Sequence, residues 1–149
     1  MSAPLLDHSQ IATRIPHAGS MCLLDGVTAW DTEHIVCLAR NHRDPDHPLR
    51  AGGRLGIAAG IEYAAQAMAV HGSLLAEAAD AGKPPPGFLA SARNVKLRVR
   101  WLDDVAADLT VQALRIASDA SAIVYSFELR AEKRLLLDGR ASVMLLAGG

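Results

Sequence analysis

Cysteine is scarce in this chain of 149 residues, which contains two, Cys22 and Cys37. They form no Cys-x-x-Cys pair and no closely spaced framework, so the sequence indicates neither a disulfide-rich scaffold nor a zinc ribbon. We expect both to be reduced thiols inside the fold.

An excess of charge of one sign is also absent, because the formal net charge is -1. A nearly neutral chain lacks the basic surface typical of nucleic-acid-binding proteins, so no polyanion partner is expected. The first residues, MSAPLLDHSQ, lack the basic and then apolar segments of a secretory signal peptide. We therefore expect a cytoplasmic protein with a single domain over residues 1–149, a length that one hydrophobic core can serve.

A long run with little charge is present, since Glu62 is the only Asp, Glu, Lys or Arg between Leu55 and Ala76. The run is long enough to cross a bilayer, but its Ala, Gly, Gln66 and His71 favour a buried helix of a globular protein over a membrane span. Its Ala, Leu and Met content predicts a helix over residues 55–79. The helix is apolar on nearly every face, so we expect other structure to surround it.

The other elements are predicted strands. MCLLDGVTAW and HIVCLAR predict a hairpin before the helix, and the polar residues 41–53 predict a loop between hairpin and helix. Three prolines end the helix, and NVKLRVRW then alternates apolar and basic residues with the period of a strand. Further strands are predicted in DLTVQALRIA, SAIVYSFELRA and RLLLDGRASVMLLA. This order predicts an α+β domain in which one curved antiparallel sheet wraps around one long central helix.

Three local patterns follow one another over most of residues 15–101: IPHAGSMCLLDGV, GIEYAAQAMAVHG and GFLASARNVKLRVRW. They resemble patterns of the 3-hydroxyacyl-acyl-carrier-protein dehydratases, which have the hotdog fold. The resemblance is closest to a divergent branch of the family found in aryl polyene biosynthesis. It implies a hotdog dimer with its two helices side by side, and dehydration of a 3-hydroxyacyl thioester to the trans-2-enoyl form.

Glu62 is the first candidate catalytic residue. A carboxylate on an apolar helix suits proton exchange near neutral pH, because desolvation disfavours its charged form. Dehydration needs such a group, since one residue must remove the C2 proton and one must protonate the departing hydroxyl. The alternative is that Glu62 points outward or pairs with Arg93 or Arg98.

His17 and His47 are the candidate partners of Glu62, because a neutral imidazole exchanges protons near physiological pH. The loop before the helix reads His-x-Pro-Gly-x-Pro in the main branch of the family. His47, in HPLRAGG, lacks the Pro-Gly step, so His17 is the preferred partner. Either histidine is alternatively a surface residue.

By resemblance, Gly56, Gln66 and Ser91 are expected to bind substrate. Gly56 allows close approach to backbone N–H donors near the helix N-terminus, and Ser91 replaces a small residue whose amide faces the thioester carbonyl in the family. Asp25 and Gln66 are expected to line or brace the site. The alternatives are a turn Asp and a buried Gln bonded to backbone.

The resemblance also implies a partner and the absence of a separate cofactor. A basic stripe of Arg93, Lys96, Arg98 and Arg100 is expected to bind an acidic acyl carrier protein and the phosphate of its phosphopantetheine, the alternative being a solvated strand face. The substrate arrives on that phosphopantetheine, so no separate cofactor and no metal are expected. HRDPDH, residues 42–47, has metal-ligating residue types, but a polar loop with proline has the same composition.

Two other functions and one other assembly stay open. Hotdog proteins also hydrolyse acyl thioesters, and the altered loop before the helix also fits a non-catalytic hotdog subunit that pairs with an active dehydratase. A homodimer is expected, because pairing two sheets removes an exposed edge. A heterodimer with another hotdog protein is the alternative.

Overall fold

The computed structural model describes residues 4–15, 21–80 and 87–145. Its two α-helices are α1 (His8–Ala12) and α2 (Gly60–Ala78). Its strands are β1 (Leu6–Asp7), β2 (Gly26–Trp30), β3 (His34–Ala39), β4 (Gly87–Leu97), β5 (Leu109–Ser118), β6 (Ala122–Ala131) and β7 (Arg134–Leu145). The strands form one open antiparallel sheet in the order β1-β2-β3-β5-β6-β7-β4. A hairpin, a long helix and four further strands follow one another as predicted.

Helix α2 lies against the inner face of the sheet, where it contacts β3, β5 and β6. Gly60 shows how closely they approach. A Cβ atom at this position would collide with Leu137 and come within 3.0 Å of the Leu129 side chain. Both leucines are fully buried, so only glycine lets the helix begin this close to β6 and β7 without repacking the core.

The structure corrects the predicted boundaries of the helix. Residues Ile57–Ala59 form a 3₁₀ turn, and the α-helix begins at Gly60 rather than at Leu55. Gly56 bridges to the backbone of Trp101. The chain is therefore tied to another segment just before the helix begins.

Strand β4 also differs from its prediction. It begins at Gly87, ahead of the alternating segment, and a bulge at Asn94 and Val95 interrupts the alternation opposite Gly139. Asn94 has a φ of 53°, and a Cβ on Gly139 would lie 2.9 Å from Val95 Cγ2. The bulge thus places Val95 over a glycine. Leu97, at the end of the strand, is 50% exposed.

The start of the described chain folds into the short helix α1. Asp7 caps α1 by accepting a hydrogen bond from the Gln10 backbone N–H, and the Gln10 side chain accepts one from the Asp7 N–H. This reciprocal pair is a capping box. Among the described helices, none is both long and apolar enough to cross a membrane.

Candidate active site

Glu62 lies in the first turn of α2, at the head of a stripe that faces away from the sheet. The stripe continues at intervals of three and four residues through Ala65, Ala69, Gly72 and Ala76, all of them half-buried or exposed. A Cβ at Gly72 would have no described atom within 4 Å. The composition of the helix predicted that other structure would surround it. The described part of its own chain does not do so on this side. Within residues 4–15, 21–80 and 87–145, a narrow face of small side chains that follows Glu62 along the helix is left uncovered.

Gln66 lies one helical turn after Glu62 and is fully buried. Its Oε1 atom accepts a 2.8 Å hydrogen bond from the Leu23 N–H, and its Nε2 donates a 2.8 Å bond to the Met21 carbonyl. Nε2 also lies 3.4 Å from Glu62 Oε1. Gln66 is thus bonded to backbone, one of the two alternatives left open above, while its amide also faces the candidate catalytic carboxylate.

His47 is buried and has both ring nitrogens in hydrogen bonds. Nδ1 accepts from the Leu49 N–H at 3.1 Å, so the ring proton is on Nε2, which donates to the Tyr63 hydroxyl at 2.9 Å. Tyr63 in turn donates to Asn41 Oδ1 at 2.6 Å. Burial lowers the pKa of His47, and the neighbouring Arg50 lowers it further. His47 is therefore a neutral imidazole that joins the loop before the helix to α2.

Arginine side chains fix the rest of that loop. Arg50 donates to three backbone carbonyls, those of Arg43, Asp44 and Gly53. Arg54 bonds Asp103 at 2.8 Å and stacks over Trp101, with its guanidinium carbon 4.5 Å from the ring centroid. Side-chain hydrogen bonds and ring stacking therefore hold the loop that leads into α2 in one conformation.

A second buried histidine joins α2 to the sheet. His71 Nε2 bonds the Asp31 carbonyl at 2.8 Å, which places the ring proton on Nε2, and Nδ1 accepts a 2.7 Å bond from the Tyr125 hydroxyl. Burial lowers the pKa of His71 and raises that of Tyr125 to about 12. Both groups are therefore neutral in the folded chain at physiological pH.

The remaining candidates occupy different places. Asp25 accepts a 2.7 Å bond from the Arg40 N–H, so it closes the base of the β2–β3 hairpin. Ser91 lies in β4 directly after a register shift and pairs with Ser142 of β7. His17 lies outside the described residues.

The basic stripe is divided by local contacts. Arg98 is paired with Asp138 at 3.0 Å, and Arg100 lies over the ring of Trp101 at 5.1 Å. Arg93 and Lys96 are exposed on β4. The stripe thus has two parts. Arg93 and Lys96 are exposed on the strand, whereas Arg98 and Arg100 lie beyond it and have partners within the chain.

The metal-like segment HRDPDH makes contacts typical of a folded loop. His42 bonds the Val105 carbonyl at 2.8 Å, and Asp44 accepts from the Asp46 N–H. Over residues 4–15, 21–80 and 87–145, no cluster of three His, Cys, Asp or Glu side chains is arranged to hold a metal ion.

An open trough marks the opposite face of the sheet. It is lined by His34, Lys96, Gln112, Ser126, Glu128 and Arg140 among others. These side chains alternate along their strands with the buried ones that contact α2. The trough is therefore separated from Glu62 by the sheet.

Sequence reasoning did not single out Tyr63, Asn41 or His71 as important. Tyr63 and His71 each carry a polar group within an otherwise apolar helix, and that was the available signal. Their partners lie on other elements, so the sequence alone offered no way to pair them.

Comparison with known proteins gives one match at the level of a family. The model of the family described as ApeP-like, ApeP dehydratase, matches residues 9–146. No curated protein sequence matches the chain.

Solved structures are similar over most of the chain. One is the dehydratase heterocomplex ApeI:P from Xenorhabdus doucetiae, with 22% identity, a TM-score of 0.82, and 92% of this chain and 91% of that chain covered. Another is a mutant thioesterase from Pseudomonas aeruginosa, with 15% identity, a TM-score of 0.66 and 95% of each chain covered. A third is a hypothetical thioesterase with coenzyme A from Streptococcus pneumoniae, with 11% identity, a TM-score of 0.59, and 81% and 84% covered. These similarities confirm the predicted hotdog fold.

Proposed function

The chain belongs to the ApeP-like dehydratase family, and we propose that it dehydrates a 3-hydroxyacyl thioester on an acyl carrier protein to the trans-2-enoyl form. The match over residues 9–146 is the observation that supports this most strongly. It also confirms the resemblance drawn from the three sequence patterns. We take the acyl group to be an intermediate of aryl polyene or related fatty acid synthesis, and we take the reaction to occur in the cytoplasm.

The reaction assigns one role to each of two groups. A base removes the C2 proton, the C2–C3 double bond forms as the C3–O bond breaks, and an acid protonates the departing oxygen so that water leaves. We propose that Glu62 and His17 exchange these protons. The uncovered stripe beyond Glu62 supports this assignment, because its small side chains leave room beside the carboxylate for an acyl chain.

His47 remains the second candidate for the histidine partner, and its contacts favour a structural role. Both ring nitrogens already serve Leu49 and Tyr63, so proton exchange with substrate requires that one of these bonds break. For Ser91 and Gly56 we keep the proposal of backbone contact with the thioester. No metal and no separate cofactor take part in the proposed reaction.

A second hotdog chain is the proposed structural partner. Strand β4 is an 11-residue edge strand with mostly exposed side chains, and the stripe on α2 is uncovered as well. Pairing with another chain would cover both features. A homodimer is the first choice, and the similar heterocomplex from Xenorhabdus supports the heterodimer as the alternative.

The acyl carrier protein is the proposed second partner. Arg93 and Lys96 are exposed cations on β4, a strand without an acidic residue. They are suited to an acidic carrier domain or to the phosphate of its phosphopantetheine. Arg98 and Arg100 contribute positive potential near them, although each already has a partner within the chain.

A side-by-side assay separates the three functions. The chain is incubated with 3-hydroxyacyl and with saturated acyl thioesters of pantetheine, while enoyl absorbance and free thiol are followed. We expect enoyl product without thiol release. Thiol release without enoyl product would establish a thioesterase instead. Absence of both reactions, together with tight association of the chain with an active hotdog dehydratase, would favour a non-catalytic subunit.

A further inference from the structure

We propose that Gln66 is a positioning residue that holds the carboxylate of Glu62 in place for proton exchange and does not itself contact substrate. This deepens the proposed function and rests on it, because it takes Glu62 as a catalytic residue. The sequence led us to expect Gln66 to bind substrate or to brace the site, with a buried Gln bonded to backbone as the alternative. Its burial and its contacts assign it a more specific task.

The orientation of the Gln66 amide is determined by its two backbone partners. The Leu23 N–H can only donate, so the amide atom facing it at 2.8 Å must be the oxygen. The Met21 carbonyl can only accept, so the atom facing it at 2.8 Å must be the nitrogen. A flipped amide would place donor against donor and acceptor against acceptor. The assignment of oxygen and nitrogen therefore follows from chemistry.

This orientation leaves the second N–H of Nε2 for Glu62. The Glu62 Oε1 atom lies 3.4 Å from Nε2, and the two residues are four apart on the same helix. An amide N–H can only donate, so the contact favours a carboxylate that accepts. At this distance the bond is weaker than the two backbone bonds. Gln66 is thus fixed by two backbone bonds and has one donor left for the Glu62 carboxylate.

The burial of Gln66 argues against direct contact with substrate. The residue is 0% exposed, and its oxygen is already bonded to the backbone. The same amide links Glu62 to the chain at residues 21–23, because one side chain bonds both. A shift of that segment would therefore move the donor that faces Glu62.

Gln66→Met is the test of this role. Methionine has a similar length and no branching, but it supplies neither the N–H nor the carbonyl. We expect kcat to fall by about 10- to 100-fold, the scale of a misplaced catalytic group, while KM changes less than about twofold. Gln112→Met, the same change on the outer face of the sheet, is the matched control and should leave both constants unchanged.

A folded Gln66→Met variant with normal kcat would overturn the proposal. So would a rise in KM at constant kcat, since that pattern indicates lost substrate binding. Because the substitution also leaves the backbone groups of Met21 and Leu23 unpaired, a second measurement must not depend on the stability of the variant.

Nuclear magnetic resonance of the Gln66 side-chain amide provides that measurement. In the Glu62→Gln variant we expect the signal of one Nε2 proton, the one facing residue 62, to move much more than the signal of the other. Unchanged signals of both protons would overturn the proposal. This readout needs no turnover, so it judges the contact even if the chain is not a dehydratase. Normal turnover by Glu62→Gln would instead overturn the proposed active site.

Discussion

The Nε2 atom of His47 lies 2.9 Å from the hydroxyl oxygen of Tyr63, and the two residues connect the loop before α2 to the first turns of that helix. Tyr63 is fully buried, and its hydroxyl donates a hydrogen bond to Asn41 Oδ1. The chain is thus fixed on both sides of the residues that lead to Glu62. A histidine that resemblance placed in catalysis also has a clear structural task.

Tyr63→Phe tests that task. It keeps the ring but removes the hydroxyl, so the Nε2–H of His47 and the side-chain oxygen of Asn41 both lose their partner. We expect the free energy of unfolding to fall by about 1–3 kcal/mol, the cost of buried polar groups left unsatisfied. Urea denaturation with an unchanged m-value measures it. A change below about 0.5 kcal/mol, the range of surface substitutions, would show that the contact contributes little.

Glu62→Gln tests the proposed active site. The change keeps size and hydrogen bonding but removes proton exchange, so we expect turnover of 3-hydroxyacyl thioesters to fall by at least about 100-fold, the lower range for a general acid–base group. Circular dichroism and elution volume should match the wild type. Glu77→Gln, on an exposed residue of the same helix paired with Arg14, is the control and should keep full activity. Normal turnover by Glu62→Gln would remove Glu62 from the site.

Stability should decrease as the pH falls below about 6.5, the ordinary pKa of histidine. Burial lowers the folded-state pKa of His42, His47 and His71. In the window between the folded and unfolded pKa values the unfolded chain binds more protons. Each histidine therefore stabilises the fold fully above about pH 6.5 and loses that effect as the pH falls through its folded pKa.

The size of the pH effect is bounded by the number of protons. Each histidine contributes at most about 1.4 kcal/mol per pH unit. Carboxylates with a lowered pKa, such as Asp31 with a value of about 2, act only at lower pH, so urea midpoints between about pH 7 and pH 5 isolate the histidines. His71→Gln should reduce the slope, by at most one proton. An identical slope in that variant would show that His71 does not titrate on unfolding in this range.

Ala69→Leu tests whether the stripe on α2 is an interface. Ala69 is exposed in the isolated chain, so the larger side chain should fit within the monomer and clash only with a second helix. We expect self-association, or association with a hotdog partner, to be lost in sedimentation velocity while the fold persists. Ala78→Leu, at the exposed end of the same helix, should associate normally. Unaltered association of Ala69→Leu would place the interface elsewhere.

The sequence by itself determined the order of elements and the identity of the central helix. These depend on period and composition, which are local: the long run with one charge predicted α2, and the alternation in NVKLRVRW predicted a strand where the second half of β4 lies. It also selected Glu62, because a lone carboxylate is conspicuous among apolar residues. Boundaries were less well determined. The bulge at Asn94 depends on Gly139 of another strand, and no local pattern contains that contact.

Only the tertiary structure decided the partners of the polar side chains. Gln66 forms hydrogen bonds with the backbone at residues 21–23, and His47 forms one with Tyr63. These partners are far apart in the sequence, and helix or strand periodicity relates only residues that are near each other. The structure also showed that the described part of the chain leaves a stripe of the helix uncovered, although its apolar composition predicted burial on every side. Composition reports how much surface must be buried, whereas the packing of one chain decides which part of that surface is left for a second.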